Sequence, residues 1–184
     1  MEKTKEIFFN YDYLRAAVIH TAKQDVRFYL RGVYIGDGYM AATCGHKLIV
    51  IEDDCFNGCD FIIPRENIEF FIKKNGNNPM SKEVCLTILD NGFNLLSLLG
   101  NYEYFKFIDG KFPDISRVDI SRPEKSEGHP MFNIGYLADF LKSYKILNGK
   151  NHMEGLNILS RGETNSAYID ISENAHGVLM PMRV

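Results

Sequence analysis

The feature that most constrains this chain is an internal repeat. Three times, a short apolar run leads through a helix-start residue into apolar residues at i, i+3, i+4 spacing. Ile7-Phe8-Phe9-Asn10 precedes Leu14, Ala17, Val18 and Thr21. Phe61-Ile62-Ile63-Pro64 precedes Ile68, Phe71 and Ile72. Met131-Phe132-Asn133 precedes Leu137, Phe140, Leu141 and Tyr144. Asn10 and Asn133 have the chemistry of N-caps, and Pro64 suits a first helical turn. Asn75-Gly76 and Asn148-Gly149 are matching stop signals.

Three strand-like runs follow each helix. They are Arg27–Ile35, Tyr39–Thr43 and Lys47–Ile51, then Val84–Leu89, Phe93–Leu98 and Tyr102–Ile108, then Leu156–Leu159, Ala167–Ile171 and Val178–Met182. The turns between them, such as Gly36-Asp37-Gly38 and Asp90-Asn91-Gly92, are those of meander hairpins. The expected fold class is therefore α+β, with β-α-β-β-β units and helices on one face of antiparallel sheets. Asp109–Pro130, with three prolines and alternating charges, reads as a linker. It divides a complete domain of two units, residues 1–122, from half a domain, residues 123–184. Units one and two are expected to share a continuous sheet with their helices side by side. The unpaired third unit predicts self-association, or docking on the first domain.

A formal net charge of −3 gives the chain no global basic field. Contact with nucleic acid must then come from a local surface or from topology. No apolar run is long enough to cross a bilayer, and Met1-Glu2-Lys3-Thr4-Lys5-Glu6 has no signal-peptide core, which predicts a cytoplasmic protein without membrane contact. Cys44, Cys55, Cys59 and Cys85 have neither disulfide-framework nor metal-ligand spacing, so no metal and no cofactor are expected. No triad and no phosphate-binding glycine loop appears, and His46 after Gly45 reads as a turn residue, so no catalytic residues and no enzyme activity are expected.

Two further features bear on function. The helices' remaining faces carry Arg15 and Lys23, then Arg65, Lys73 and Lys74, then Lys142 and Lys145. Singly, such charges belong to a solvated face; recurring on corresponding helices, they describe a shared basic surface for phosphates. The tail, Val178-Leu179-Met180-Pro181-Met182-Arg183-Val184, is apolar where a chain end is normally polar and frayed. It is either a last strand closing the core or one wall of a groove, for which two methionines around a proline are suited.

Four stretches, in order, carry a resemblance: Gln24-Asp25-Val26-Arg27-Phe28-Tyr29-Leu30, Ala42-Thr43-Cys44-Gly45-His46-Lys47-Leu48, Asp109-Gly110-Lys111-Phe112-Pro113-Asp114 and Met180-Pro181-Met182-Arg183. Together they resemble the bacterial DNA polymerase sliding clamp, the beta subunit of DNA polymerase III. Residues 7–120 are similar to that family's middle domain and residues 131–184 to the second half of its last domain. No stretch resembles the first domain or the first half of the last one.

The resemblance implies a ring-forming DNA-clamp-like fold that encircles duplex DNA without regard to sequence and takes short client peptides in a groove. By matching position, the groove comprises Leu30, Thr43, Gly45, His46, Lys47 and Leu48, then Pro113 and Val118, then Val178, Met180, Pro181, Met182 and Arg183. Leu30, Leu48, Val118, Val178 and the methionines would form an apolar slot for leucine or phenylalanine. Thr43, His46 and Arg183 would bond a glutamine or peptide backbone at its rim, and Gly45 would admit a close approach. Lys47 departs from the family's usual arginine, keeping the charge and losing the planar fork. Cys44 replaces an acidic residue. Gln24, Arg27 and Tyr29 match positions the family places near DNA, though an Arg-aromatic strand start also packs and pairs for purely structural reasons.

The expected function is a sliding-clamp-like processivity factor for DNA replication, with duplex DNA, polymerases, other peptide-bearing clients and a clamp loader as implied partners. It would act as a homo-oligomer: a ring of about twelve units closes with about four chains of three. The alternative is a non-encircling adaptor or decoy that binds the same peptides without holding DNA.

Overall fold

A computed structural model describes residues 3–90, 92–149 and 155–183. Met1, Glu2, Asn91 and Val184 lie outside the described residues. The first unit contains β1 (Lys3–Asn10), α1 (Tyr11–Val18), β2 (Gly32–Gly36), β3 (Tyr39–Thr43) and β4 (Lys47–Glu52). The second contains β5 (Asp60–Pro64), α2 (Arg65–Asn75), β6 (Glu83–Leu89), β7 (Asn94–Leu98) and β8 (Asn101–Phe105). The third contains α3 (Ile134–Asn148), β9 (Asn157–Leu159), β10 (Ala167–Ser172) and β11 (Ala175–Leu179). The class is α+β, with three α-helices packed on two antiparallel sheets among the described residues. None of the described helices is long and apolar enough to cross a membrane.

Local signals act as their chemistry requires. The Asn10 and Asn133 side chains accept from the amides of Asp12 and Gly135, at 2.9 and 2.8 Å. Helices α2 and α3 end with the Gly76 and Gly149 amides bonded to Ile72 O and Lys145 O. Pro64 sits one residue earlier than expected, at the N-cap position rather than in the first turn.

Pairing over longer distances departs from expectation. The first two units do not share one continuous sheet. Instead β1 joins a four-stranded sheet in the order β1-β6-β7-β8, while β5 joins a seven-stranded sheet in the order β5-β2-β3-β4-β11-β10-β9. A helix separates each opening strand from its own meander, so the strand pairs with the other unit's meander and the two units interlock. Arg27–Ile35 is not one strand. Phe28–Arg31 forms a 3-10 turn whose Leu30 carbonyl accepts from Ala22, and β2 begins only at Gly32. Met131–Asn133 forms no strand, because no fourth unit in this chain offers it a meander; the Met131 carbonyl takes the Met182 amide instead, at 2.8 Å. The last strand is Ala175–Leu179 rather than Val178–Met182. Its hairpin with β10 fixes that register, and Pro181 has no amide to extend it.

The third unit docks on the first. Five consecutive pairs, from Ala175↔Ile51 to Leu179↔Lys47, join β11 to β4. One core runs through the inner faces of both sheets and the three helices, from Ile7 and Phe9 through Ile49 and Phe71 to Phe140 and Leu179. Gly177 on β11 lets the Phe140 ring lie directly on the sheet: a Cβ there would come within 2.2 Å of Phe140 Cε1. A second cluster lies on the opposite face of the seven-stranded sheet, where Phe112, Ile115 and Ile120 cover Tyr34, Val50 and Val178. The Asp109–Pro130 segment is therefore a strap, not a free linker. Asp119 bonds His176 at 2.8 Å, Arg122 grips Asp170 through two 2.9 Å bonds, and Glu127 bridges to Arg161.

At the seam between α1 and α3, the Ser143 hydroxyl donates to Ala16 O at 3.1 Å and lies 2.9 Å from His20 Nε2. With that hydroxyl proton committed, Nε2 must donate, which leaves Nδ1 unprotonated and buried without a partner. Burial, then the nearby Lys47 charge, hold the imidazole well below its usual 6.5, with Asp139 opposing. The unfolded chain therefore binds a proton below pH 6.5 that the native state refuses, and stability falls as pH falls through that range. Each pH unit below 6.5 is expected to remove up to about 1.4 kcal/mol. Urea midpoints measured from pH 7.5 to 5 check this: His20→Gln should flatten the profile above pH 5, and a flat wild-type profile would refute the assignment.

Candidate protein-peptide groove

Strand β4 leaves the turn Thr43–Lys47, and β11 runs beside it into the tail. Thr43 Oγ1 donates to Lys47 O at 2.8 Å and accepts from the Gly45 amide at 3.0 Å, which closes the turn. Gly45 has φ +90°, and a Cβ there would stand 3.0 Å from Arg27 Nη2. Two bonds tie the tail across the gap: Met180 N–H to His46 O at 3.0 Å, and Met182 N–H to Met131 O at 2.8 Å. The turn and the chain end thus lie side by side. Met180 and Met182 remain 44% and 47% exposed, so the tail is docked by its backbone while its thioethers stay available.

Alternation along β4 and β11 sorts the other candidates. Leu48 and Val178 point to the outer face and, with Leu30, form a buried floor shared with Phe112 and Ile115 of the strap. Pro113 and Val118 are exposed on that strap, and Thr43, Gly45, His46, Pro181 and Arg183 are at least partly accessible. Lys47 does not belong to the rim. It points to the helix side, 4% exposed, with Nζ 2.5 Å from Asp139 Oδ2 and 3.0 Å from Ile19 O. Being adjacent to Leu48 on a strand forces it to the opposite face.

One residue that sequence reasoning missed is Tyr136. Its ring stacks on His46 at 6.0 Å and 15°, and Lys47 Nζ lies 5.5 Å from its centroid. Its phenol is raised by partial burial, then by Cys44 and Asp139. The available signal was its place in the first turn after the Asn133 cap, where a helix begins against its neighbour. Met131 and Ile134 are exposed nearby in sequence, flanking the same cap.

The basic residues do not form one open surface. Arg15 is 13% exposed in its side chain and bonds Asp12 at 2.7 Å, because α1 is short and wedged between α2 and α3. Lys74 turns to β8, bonding Tyr102 O and Glu103 Oε2, both at 2.7 Å. Lys142 pairs with Asp139 at 3.0 Å. Arg27 holds Asp25 through its fork, which pulls that carboxyl down to about 2. Tyr29 packs at the edge of the outer cluster, edge-to-face with an exposed Phe28. Gln24, Lys23, Lys73 and Lys145 lie exposed. Among the described residues, no group of three or more His, Cys, Asp or Glu is placed to hold a metal ion. The Cys55 thiol is pushed up to about 12, first by burial and then by Asp53.

No protein-family model matches the chain. The beta sliding clamp of Proteus mirabilis is 33% identical over 114 residues, covering 57% of this chain and 30% of that protein. The match thus spans less than a third of that relative's length. A DNA polymerase sliding clamp from Pseudomonas aeruginosa, solved with ligand, superimposes with a TM-score of 0.75 at 18% identity, covering 100% of this chain and 68% of that one. The DNA polymerase III beta subunit of Thermotoga maritima gives 0.74 at 13% identity, covering 100% and 67%. A sliding clamp from Bartonella birtlesii bound to griselimycin gives 0.73 at 18%, covering 100% and 68%. The fold is therefore that of the DNA clamps. In sequence the chain is similar to a beta sliding clamp over 114 residues, and in fold it is similar to DNA polymerase III beta subunits over about two thirds of their length.

The strained turn makes a sharp prediction. Gly45→Ala is expected to cost about 1–2 kcal/mol, because φ +90° disfavours any Cβ. Adding Arg27→Ala should not recover the loss, since the penalty lies in the backbone rather than in the flexible guanidinium. Urea midpoints of the single and double variants test both points; an unchanged Gly45→Ala midpoint would show that the turn is unstrained.

Proposed function

We propose that this protein is a sliding-clamp-like processivity factor for DNA replication, non-catalytic, which binds short linear peptides of polymerases and other clients beside its C-terminal tail. The observation that carries this reading is the tail itself. Its backbone is bonded to His46 and Met131 on either side, Met180 and Met182 stay exposed, and Leu30, Leu48 and Val178 lie buried in the outer cluster of the same sheet. An extended peptide with leucine or phenylalanine anchors fits such a surface, and Thr43, His46 and Arg183 supply polar contacts at its margin. Residues 1–122 would correspond to a whole clamp domain and 123–184 to half of one. Duplex DNA would be held without sequence preference by Gln24, Arg27, Tyr29, Lys23, Lys73 and Lys145, in a homo-oligomer that a clamp loader opens.

A specific observation also favours the second reading, a non-encircling adaptor or decoy for the same peptides. At β8, one of four sheet edges open to strand addition, Lys74 already bonds the carbonyl of Tyr102 at 2.7 Å. Pairing of Arg15, Lys74 and Lys142 with acids further thins the basic surface.

Fluorescence anisotropy with a labelled heptapeptide carrying glutamine and a leucine–phenylalanine pair tests the groove. Met182→Ala is expected to weaken binding about ten-fold, and truncation before Met180 to abolish it. Unchanged affinity in both variants would remove the groove. Light scattering and retention on circular against linear DNA separate the two readings: a multimer retained only on circles supports encirclement, and a peptide-binding monomer supports the adaptor.

A further inference from the structure

Lys47 lies within the motif that builds the groove wall, yet its ammonium is buried on the other side of the sheet. A lone buried ammonium is costly, and here it has three partners: Asp139 Oδ2 at 2.5 Å, Ile19 O at 3.0 Å and the Tyr136 ring at 5.5 Å. Ile19 is the C-cap of α1, where a cation is favoured, and Asp139 stands one helical turn beyond Tyr136 in α3. One charge from β4 thus reaches the end of the first unit's helix and the first turns of the third unit's helix. Asp139 is held below its ordinary value although burial pushes it up, because Lys47 and Lys142 outweigh that effect.

The tail's anchors sit on the two bodies that this charge joins. Met180 is bonded to His46, on the turn one residue before Lys47, and Met182 is bonded to Met131, just ahead of α3. The spacing between those carbonyls is set by how α3 lies against the turn, and the Tyr136–His46 stack sits at the same junction. We propose that Lys47 is a positioning residue for the groove: it touches no peptide, and through Asp139 and Tyr136 it fixes the distance between the two carbonyls that hold the tail. This inference rests on the groove reading for its purpose, but the pin can be judged without a ligand.

The test uses the full chain with Lys47→Met, Lys47→Arg and Asp139→Ala, reading amide hydrogen exchange at Met180 and Met182 against the β1–β6 ladder. Lys47→Met and Asp139→Ala are expected to speed exchange at the two tail amides about ten-fold with the β1–β6 amides unchanged, and Lys47→Arg to restore the wild-type rate. Peptide affinity, by the same heptapeptide, should fall in parallel. Asp139 is the more exposed partner, so its variant gives a reading even if Lys47→Met fails to fold. Tail exchange at the wild-type rate, or acceleration spread equally into β1–β6, overturns the proposal, as does a Lys47→Arg that behaves like Lys47→Met. If the wild-type protein binds no heptapeptide, the groove reading falls, and exchange still decides the pin.

Discussion

The structure depends on the main-chain ladder between β4 and β11. It joins segments more than a hundred residues apart in sequence, and it places the chain end beside the first unit's turn. Hydrogen bonds alone are worth about 1 kcal/mol each after exchange with water. What makes this ladder persist is burial on both of its faces. Leu48 and Val178 meet on the outside beneath the strap, while Ile49 and Leu179 meet the helices inside. Gly177, paired with Ile49, removes the side chain that would hold Phe140 off the sheet. The third unit, lacking a second half of its own in this chain, satisfies its apolar helix face on α1 and its strand on β4.

The same ladder divides one short motif between the two faces of the sheet. Side chains alternate, so Gly45-His46-Lys47-Leu48 cannot present every member to one ligand. Leu48 goes to the outer cluster beneath the strap and Lys47 to the helix seam. Asp139 illustrates how magnitudes divide such contacts. Its bond to the exposed Lys142 is worth at most about 1 kcal/mol, whereas stranding the buried Lys47 ammonium would cost roughly 3 kcal/mol or more. The buried member decides where α3 sits, and the exposed one mostly follows.

Much of the fold was legible because its signals are local. Asn10, Asn133, Gly76 and Gly149 act within a few residues of themselves, and the meander hairpins carry their own turn chemistry. The exchange of β1 and β5 was not legible, since period-2 patterning says which face is buried and not which strand lies alongside. Phe112 and Ile115 looked like part of a linker because prolines and charges surround them; only the apolar outer face of β4 and β11 shows what they cover. That the turn and the tail lie side by side was readable from residue type and order. The inward turn of Lys47 required knowing that β4 starts there, and the loss of Arg15 to Asp12 required knowing how short α1 is. Tyr136 was passed over because the helical stripe that it adjoins points to the core, and its partner, His46, belongs to a distant turn.

A groove and a ring make different demands on such a chain. The candidate groove draws its turn, strap and tail from one chain. A ring needs free edges; the two sheets end in β1 and β8 and in β5 and β9, and of these β8 and β9 are poorly prepared to offer them. On β8, Glu103 receives bonds from both Asn67 and Lys74, and those side chains also reach the carbonyls of Tyr104 and Tyr102, at 3.5 and 2.7 Å. A new strand would have to displace Lys74 before it met that edge, which is how sheets discourage unwanted pairing. At the other end β9 is only three residues long, and just beyond it the strap lies along Ser160–Gly162 through Glu127. Closure at β8 or β9 therefore competes with contacts the chain already makes. Strand addition at β8 or β9 would first have to displace those contacts, while Met180 and Met182 of the tail already stand exposed.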